Sequence, residues 1–71
     1  MKHIQISVGK KVRELRLEAG LSQENLAEKA GIHRSHMGEI ERGEVDMPLS
    51  TLVRIAQTLE IKASALVRGI V

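Results

Sequence analysis

Apolar residues recur at helical spacing along most of this chain, and the first such stripe ends just before a glycine. Its members lie at i, i+4, i+7 and i+11: Val8, Val12, Leu15 and Ala19. The spacing predicts an amphipathic helix, which Gly20 would end as a left-handed C-cap. Upstream, Ile4 and Ile6 flank Gln5, and this brief alternation predicts an arm or a short extended segment.

Two short helices joined by a tight turn are predicted next. Ser22 is a good N-cap, and helix-forming residues follow it up to Gly31. A third helix, capped by His33 or its neighbour, runs to Gly43. The small side chain of Ala27 suits the point where two steeply crossing helices approach each other. Residues 22–43 therefore predict a helix-turn-helix unit, with an ordinary helical hairpin in a bundle as the alternative.

The rest of the chain predicts two further helices. Pro48 fixes the backbone at a helix start. The fourth apolar stripe comprises Leu49, Leu52, Ile55, Ala56 and Leu59, and a weaker last one comprises Ala63, Leu66, Val67 and Ile70. No segment alternates over the length of a strand, so the sequence predicts an all-α fold in one domain over residues 1–71.

Composition and charge narrow the possible functions. A chain of 71 residues closes one small core, and the lack of Cys removes thiolate metal sites. Without Phe, Trp or Tyr, there is no stacking platform for unpaired bases. No apolar stretch approaches the ~20 residues that cross a bilayer, so a cytoplasmic protein without membrane contact is expected. The formal net charge is +2, and basic residues precede the first acidic one. This pattern suits binding to an anionic partner, and the alternative is that the charges only face solvent.

A set of motifs distributed along the chain matches a known family. They are Arg16, Gly20-Leu21-Ser22-Gln23-Glu24, Leu26-Ala27, Gly31-Ile32, Ile40-Glu41-Arg42-Gly43, and Thr51-Leu52 with Ile55-Ala56 and Leu59. From about Val8 to Leu66 the chain resembles the phage repressor and Cro class of helix-turn-helix regulators, also called xenobiotic-response-element-like. The resemblance implies a compact five-helix, lambda-repressor-like domain that binds double-stranded DNA as a homodimer on a palindromic operator. The recognition helix, here about residues 33–42, would lie in the major groove.

The resemblance assigns base contacts to residues at the start and one turn into the third helix: Arg34, Ser35, His36 and Glu39. Arg34 can donate two parallel hydrogen bonds to O6 and N7 of guanine, and Glu39 can accept one from N4 of cytosine. A half-site that contains G·C pairs is therefore expected. The alternatives are that these side chains face water, or that Glu39 acts by repelling phosphate.

The resemblance also assigns phosphate contacts to residues at the edges of the same unit: Gln23, His33, Arg42 and Gly43. Gln23 would act together with the N–H groups at the start of the second helix. Arg16 and Glu41 match a buried ion pair that ties the first helix to the third, with two unrelated surface charges as the alternative. No metal site and no cofactor are expected, because His33, His36 and Glu39 would fan apart around a helix.

Several positions depart from the family pattern. Glu44 and Asp46 make an acidic loop where relatives are often basic, so this loop is expected to bend away from DNA or weaken binding. Glu60 replaces a frequent C-capping glycine, so the junction after the fourth helix is expected to differ. The apolar residues near the end of the chain form a candidate dimer surface, with closure of the core as the alternative: Leu66, Val67, Ile70 and Val71.

The leading hypothesis is therefore a transcriptional regulator that binds duplex DNA. A protein-interaction module or antitoxin-type adaptor that reuses the same fold is the alternative, favoured by the acidic loop and the modest net charge. An enzyme is not expected, because the sequence lacks a nucleophile with a base and a phosphate-cradling glycine loop.

Overall fold

The computed structural model describes residues 2–70, which contain five α-helices. They are α1 (Lys2–Glu18), α2 (Gln23–Ala30), α3 (Arg34–Glu41), α4 (Leu49–Thr58) and α5 (Ser64–Val67). No strand occurs within residues 2–70, which confirms the predicted all-α class and the number of helices. Not one of these five helices has both the length and the apolar character needed to cross a bilayer.

The helix-turn-helix unit is defined by local capping interactions that the sequence predicted. The Ser22 hydroxyl caps α2 by accepting a hydrogen bond from the Asn25 N–H at 3.0 Å. Gly31 ends α2 with a φ of 69°, a left-handed conformation that favours glycine. The His33 ring then caps α3 by accepting a hydrogen bond from the Ser35 N–H at 3.2 Å. Only three residues separate the two helices, so α3 leaves the turn in a fixed direction relative to α2.

α1 begins earlier than the sequence predicted, and the prediction of an arm or extended segment around Gln5 was wrong. Residues 4–6 lie in the first turns of α1. Ile4 packs against the core one helical turn before Val8, so it extends the apolar stripe. The Gln5 side chain donates a hydrogen bond to the Asp46 carboxylate. This bond joins α1 to the loop that follows α3.

A single apolar core receives side chains from every helix. Its large, fully buried members are Val12, Leu26, Met37, Ile40, Ile55 and Leu66. Removing each of these side chains from water stabilises the fold by about 1.5–3 kcal/mol. α1 approaches α3 so closely at Gly9 that a Cβ there would lie 2.7 Å from the Glu41 carbonyl oxygen. The core therefore fixes the position of α3, while the opposite side of this helix remains exposed to solvent.

The junction between α4 and α5 keeps a left-handed turn despite the absence of glycine. Glu60 adopts a φ of 58°, a conformation that costs a residue with a side chain about 1–2 kcal/mol. Glu60 thus makes the left-handed turn that a C-capping glycine would make, and only the residue type differs. α5 follows as a helix of four residues whose Leu66 is completely buried.

Candidate nucleic-acid interface

The residues assigned to base contacts lie on the side of α3 that the core does not cover. Arg34 and Ser35 are exposed at the first turn, and His36 and Glu39 are partly exposed. Met37 and Ile40 of the same helix are buried. We call the set Arg34, Ser35, His36 and Glu39 the recognition face. α3 therefore presents a polar outer side and an apolar inner side, as a helix that enters a groove requires.

His33 and Ser35 share one hydrogen-bonded arrangement at the start of α3. The His33 Nδ1 atom accepts from the Ser35 N–H and lies 2.8 Å from the Ser35 hydroxyl oxygen. The cap uses Nδ1, so Nε2 is the ring atom left for an outside partner. The predicted capping role of His33 is confirmed, whereas its phosphate contact stays a prediction.

Arg34 has a carboxylate neighbour from α2. Its Nη1 atom lies 3.2 Å from a carboxylate oxygen of Glu24, and both side chains are about 70% exposed, at 69% and 70%. This single contact leaves the Nε and Nη2 side of the guanidinium for another planar acceptor. Glu24 belongs to the motif Gly20-Leu21-Ser22-Gln23-Glu24, but its pairing with Arg34 was not predicted.

His36 and Glu39 form the other contact on the recognition face. The His36 Nδ1 atom lies 3.5 Å from a Glu39 carboxylate oxygen, which is the outer limit of a hydrogen bond. Within residues 2–70, no group of three His, Asp or Glu side chains is arranged to hold a metal ion. The recognition face is thus a set of donors and acceptors suited to polar contacts.

Gln23 is held by the ion pair that the sequence predicted. Arg16 donates from Nε and Nη2 to the two carboxylate oxygens of Glu41, at 2.8 and 3.1 Å. The Arg16 and Glu41 side chains are only 10% and 3% exposed. A third donor, the Gln23 Nε2 atom, lies 3.2 Å from Glu41 Oε1. The pair is therefore buried, and it also orients the amide at the start of α2.

Arg42 is paired with the acidic loop that follows α3. Its Nε and Nη2 atoms donate to the two carboxylate oxygens of Glu44, at 2.9 and 3.2 Å. The hydrogen bond and the charge of Glu44 raise the pKa of the Arg42 guanidinium. The same hydrogen bond lowers the pKa of the Glu44 carboxyl, so the pair remains ionised at neutral pH.

Gly43 lies inside the protein rather than on its surface. It is buried with a φ of 72°, and its N–H donates to the Ile40 carbonyl oxygen at 3.1 Å. A Cβ on Gly43 would meet the backbone and the side chain of Ile6. The phosphate contact assigned to the Gly43 backbone is therefore corrected: its N–H already has an acceptor, and its place in the fold is against α1.

Comparisons with known proteins agree with this geometry. A family model described as helix-turn-helix matches residues 12–66. The chain belongs to this helix-turn-helix family. It is 42% identical over 62 residues to the immunity repressor protein of Bacillus phage phi105, an alignment that covers 87% of this chain and 43% of the repressor. The alignment with control protein C.SmaI of Serratia marcescens, 48% identical over 48 residues, covers 68% of this chain and 57% of the relative. The helix-turn-helix chain thus spans about half the length of these curated relatives.

Solved structures support the same helix-turn-helix assignment. The restriction-modification controller protein C.AhdI of Aeromonas hydrophila superposes with a TM-score of 0.86 and 39% identity, covering 87% of this chain and 94% of that protein. SinR, a master regulator for biofilm formation solved in complex with DNA, superposes with a TM-score of 0.80 and 31% identity, covering 84% of this chain and 97% of that one. The relatives are named as regulators and control proteins rather than as enzymes.

The acidic loop of the helix-turn-helix chain is tied down at both ends. Glu44 is bonded to Arg42, and Asp46 accepts a hydrogen bond from Gln5 of α1. The expectation that this loop bends away from DNA concerns a complex and stays a prediction. Neither contact was predicted; the Gln5–Asp46 bond joins residues 41 positions apart, which no local pattern signals.

The candidate dimer residues do not share one environment. Leu66 has no exposed surface, so it closes the core and is removed from the candidate surface. Val67 and Ile70 are half-buried, and Val71 lies outside the described residues. Beside Val67 is an apolar recess of about 260 Å³, lined in part by Val45, Met47 and Leu49. Leu49 is 73% exposed, and the sequence analysis had placed it on an inward stripe.

Proposed function

We propose that this chain is a sequence-specific transcriptional regulator that binds double-stranded DNA through α3 in the major groove, in the cytoplasm. The observation that carries the proposal is the outward side of α3, where Arg34, Ser35, His36 and Glu39 lie beside the amino terminus of α2. The superposition on SinR, a relative solved in complex with DNA, supports the DNA-binding part of the proposal. A groove of B-form DNA accepts one α-helix, and α3 is presented for it.

Base recognition is assigned to the recognition face. Arg34 has the Nε and Nη2 side of its guanidinium turned away from Glu24, and this side fits O6 and N7 of guanine. The Ser35 hydroxyl can hydrogen-bond to several different base edges. The Glu39 carboxylate only accepts hydrogen bonds, which suits the N4 amino group of cytosine. G·C pairs in the half-site are the expected consequence.

Contacts to the DNA phosphate backbone are assigned to residues that flank the recognition face. Gln23 offers its amide and the N–H groups of the first turn of α2, and Arg42 offers a guanidinium one turn beyond Gly38. His33 offers Nε2. These contacts place the helix on the duplex and carry no sequence information.

A homodimer on a palindromic operator completes the proposal. Two copies would place their recognition helices about 34 Å apart, one turn of DNA. Val67, which lines the apolar recess together with exposed Leu49, and the half-buried Ile70 supply the apolar surface for such a contact. Control would then follow from concentration and from the arrangement of operators.

A protein-interaction adaptor is the second candidate. The observation that favours it is that carboxylates already pair with an arginine at each end of α3, Glu24 with Arg34 and Glu44 with Arg42. A stable protein partner that copurifies, without salt-dependent retardation of any duplex, would select this candidate.

Substitution of Arg42 by Ala tests the proposed function. Affinity for every duplex is expected to fall by a similar factor, and the slope of log affinity against log salt to decrease by about 1, because one phosphate contact is lost. Titrations of labelled duplexes at several salt concentrations measure both quantities. Arg13→Ala, which removes the same charge from an exposed position on α1, is the matched control and should leave the slope near that of the wild type. Equal slopes for the Arg42→Ala variant and the wild type would contradict the assignment of Arg42.

A further inference from the structure

Gly38 lies in the interior of α3 and is buried, although no turn requires a glycine there. A glycine in the middle of a helix weakens that helix relative to Ala. Its position is explained by its neighbours rather than by its own conformation. A Cβ on Gly38 would lie 3.0 Å from Arg42 Nη1 and 3.3 Å from Gln23 Oε1. Both neighbours are side-chain ends that the proposed function assigns to the DNA backbone.

The two side chains reach this point because each is held from its other end. Gln23 donates one amide N–H to the buried Glu41 carboxylate and places its carbonyl oxygen over Gly38, so its second amide N–H remains for another acceptor. Arg42 donates from Nε and Nη2 to Glu44, which leaves Nη1 with both of its hydrogens over Gly38. The Gln23 amide of α2 and the Arg42 guanidinium at the end of α3 therefore meet over Gly38, and each has an N–H that these hydrogen bonds leave unused. We call Gly38, Gln23 and Arg42 the notch.

We propose that Gly38 is a positioning residue for the DNA backbone, because its missing side chain allows the Gln23 amide and the Arg42 guanidinium to converge over α3 and bind adjacent phosphate oxygens together. The inference rests on the proposed function. Glu41 and Glu44 act on the same site by holding the two side chains in place. The ligand is the phosphodiester backbone, since Arg42 supplies charge and Gln23 a neutral donor at a site with no base-contacting residue.

Gly38→Ala is the variant that tests the notch. The added Cβ displaces only the ends of flexible side chains, so the unfolding midpoint is expected to stay the same or rise. Affinity is expected to fall roughly tenfold for all duplexes alike, because the hydrogen bonds to phosphate are misplaced. The ratio of affinities for a preferred and a scrambled duplex should not change. In the Arg42→Ala background, the added Gly38→Ala change should lower affinity by a clearly smaller factor than in the wild type.

Gly9→Ala is the matched control, because it is the same change in the interior of α1. Its Cβ would meet backbone oxygens of α3, so this variant is expected to lose stability. Wild-type affinity in Gly38→Ala would overturn the proposal. So would a loss of stability that parallels Gly9→Ala, or a loss of affinity confined to one duplex sequence. Failure of the wild-type chain to bind any duplex would instead contradict the proposed function itself.

Discussion

Replacing Glu41 by Gln is expected to lower the free energy of unfolding by about 3–5 kcal/mol. The change keeps the shape of the side chain but leaves Arg16 buried without a countercharge. The amide nitrogen of Gln also cannot accept one of the two hydrogen bonds, of 2.8 and 3.1 Å, that Arg16 donates to the carboxylate. A domain of this size has a total stability of about 0.05–0.15 kcal/mol per residue, so the loss removes much of it. Urea unfolding followed by circular dichroism measures the effect, and suits a chain without Trp or Tyr.

Glu24→Gln is the control for that experiment. It removes the same charge from an exposed pair with one contact of 3.2 Å, and the expected change is below about 1 kcal/mol. The double variant Arg16→Met with Glu41→Leu is expected to recover most of the stability, because no unpaired charge remains in the core. A loss in Glu41→Gln no larger than in the control would contradict the structural role of the pair.

Replacing Arg34 by Ala is expected to reduce discrimination at one base pair of each half-site by about 1–3 kcal/mol, or roughly 5–150-fold. The reason is that a guanidinium fork matches O6 and N7 of guanine, whereas Ala has no donor. Competition between the preferred duplex and duplexes altered at one base pair at a time measures the loss position by position.

Arg42→Ala provides the contrast for Arg34→Ala. It removes the same charge from the other end of α3 and should weaken all duplexes alike, leaving the preference for each base pair intact. If Arg34→Ala instead kept the wild-type preference at every position, Arg34 would not contact a base and the recognition face would need a different assignment.

Residues 22–43 were predictable because their structure is specified locally. Ser22, Gly31 and His33 act on atoms no more than a few residues away, so their capping roles can be recognised from sequence. The Arg16–Glu41 contact spans 25 residues and was recovered only through the family resemblance. Periodicity alone does not specify such a pair, because it gives the face of a helix but not its partner.

The parts that the sequence did not predict depend on tertiary contacts. The start of α1 follows from the packing of Ile4 against the core, which a short alternating pattern conceals. Gly43 resembled a phosphate contact by position, yet its burial against Ile6 decides its role. Glu24 pairs with Arg34 of the next helix, and the role of Gly38 depends on the two side chains that meet over it. Each of these required the relative placement of separate elements.

Selection of bound duplexes from a random pool tests most directly whether α3 reads double-stranded DNA. The account predicts enrichment of a two-fold symmetric sequence whose half-sites contain G·C pairs and lie about one helical turn apart. In the same selection with the Arg34→Ala variant, the base preference of the wild type should be lost at one position of each half-site. A pool that shows no enriched sequence after selection by the wild-type chain would contradict the account.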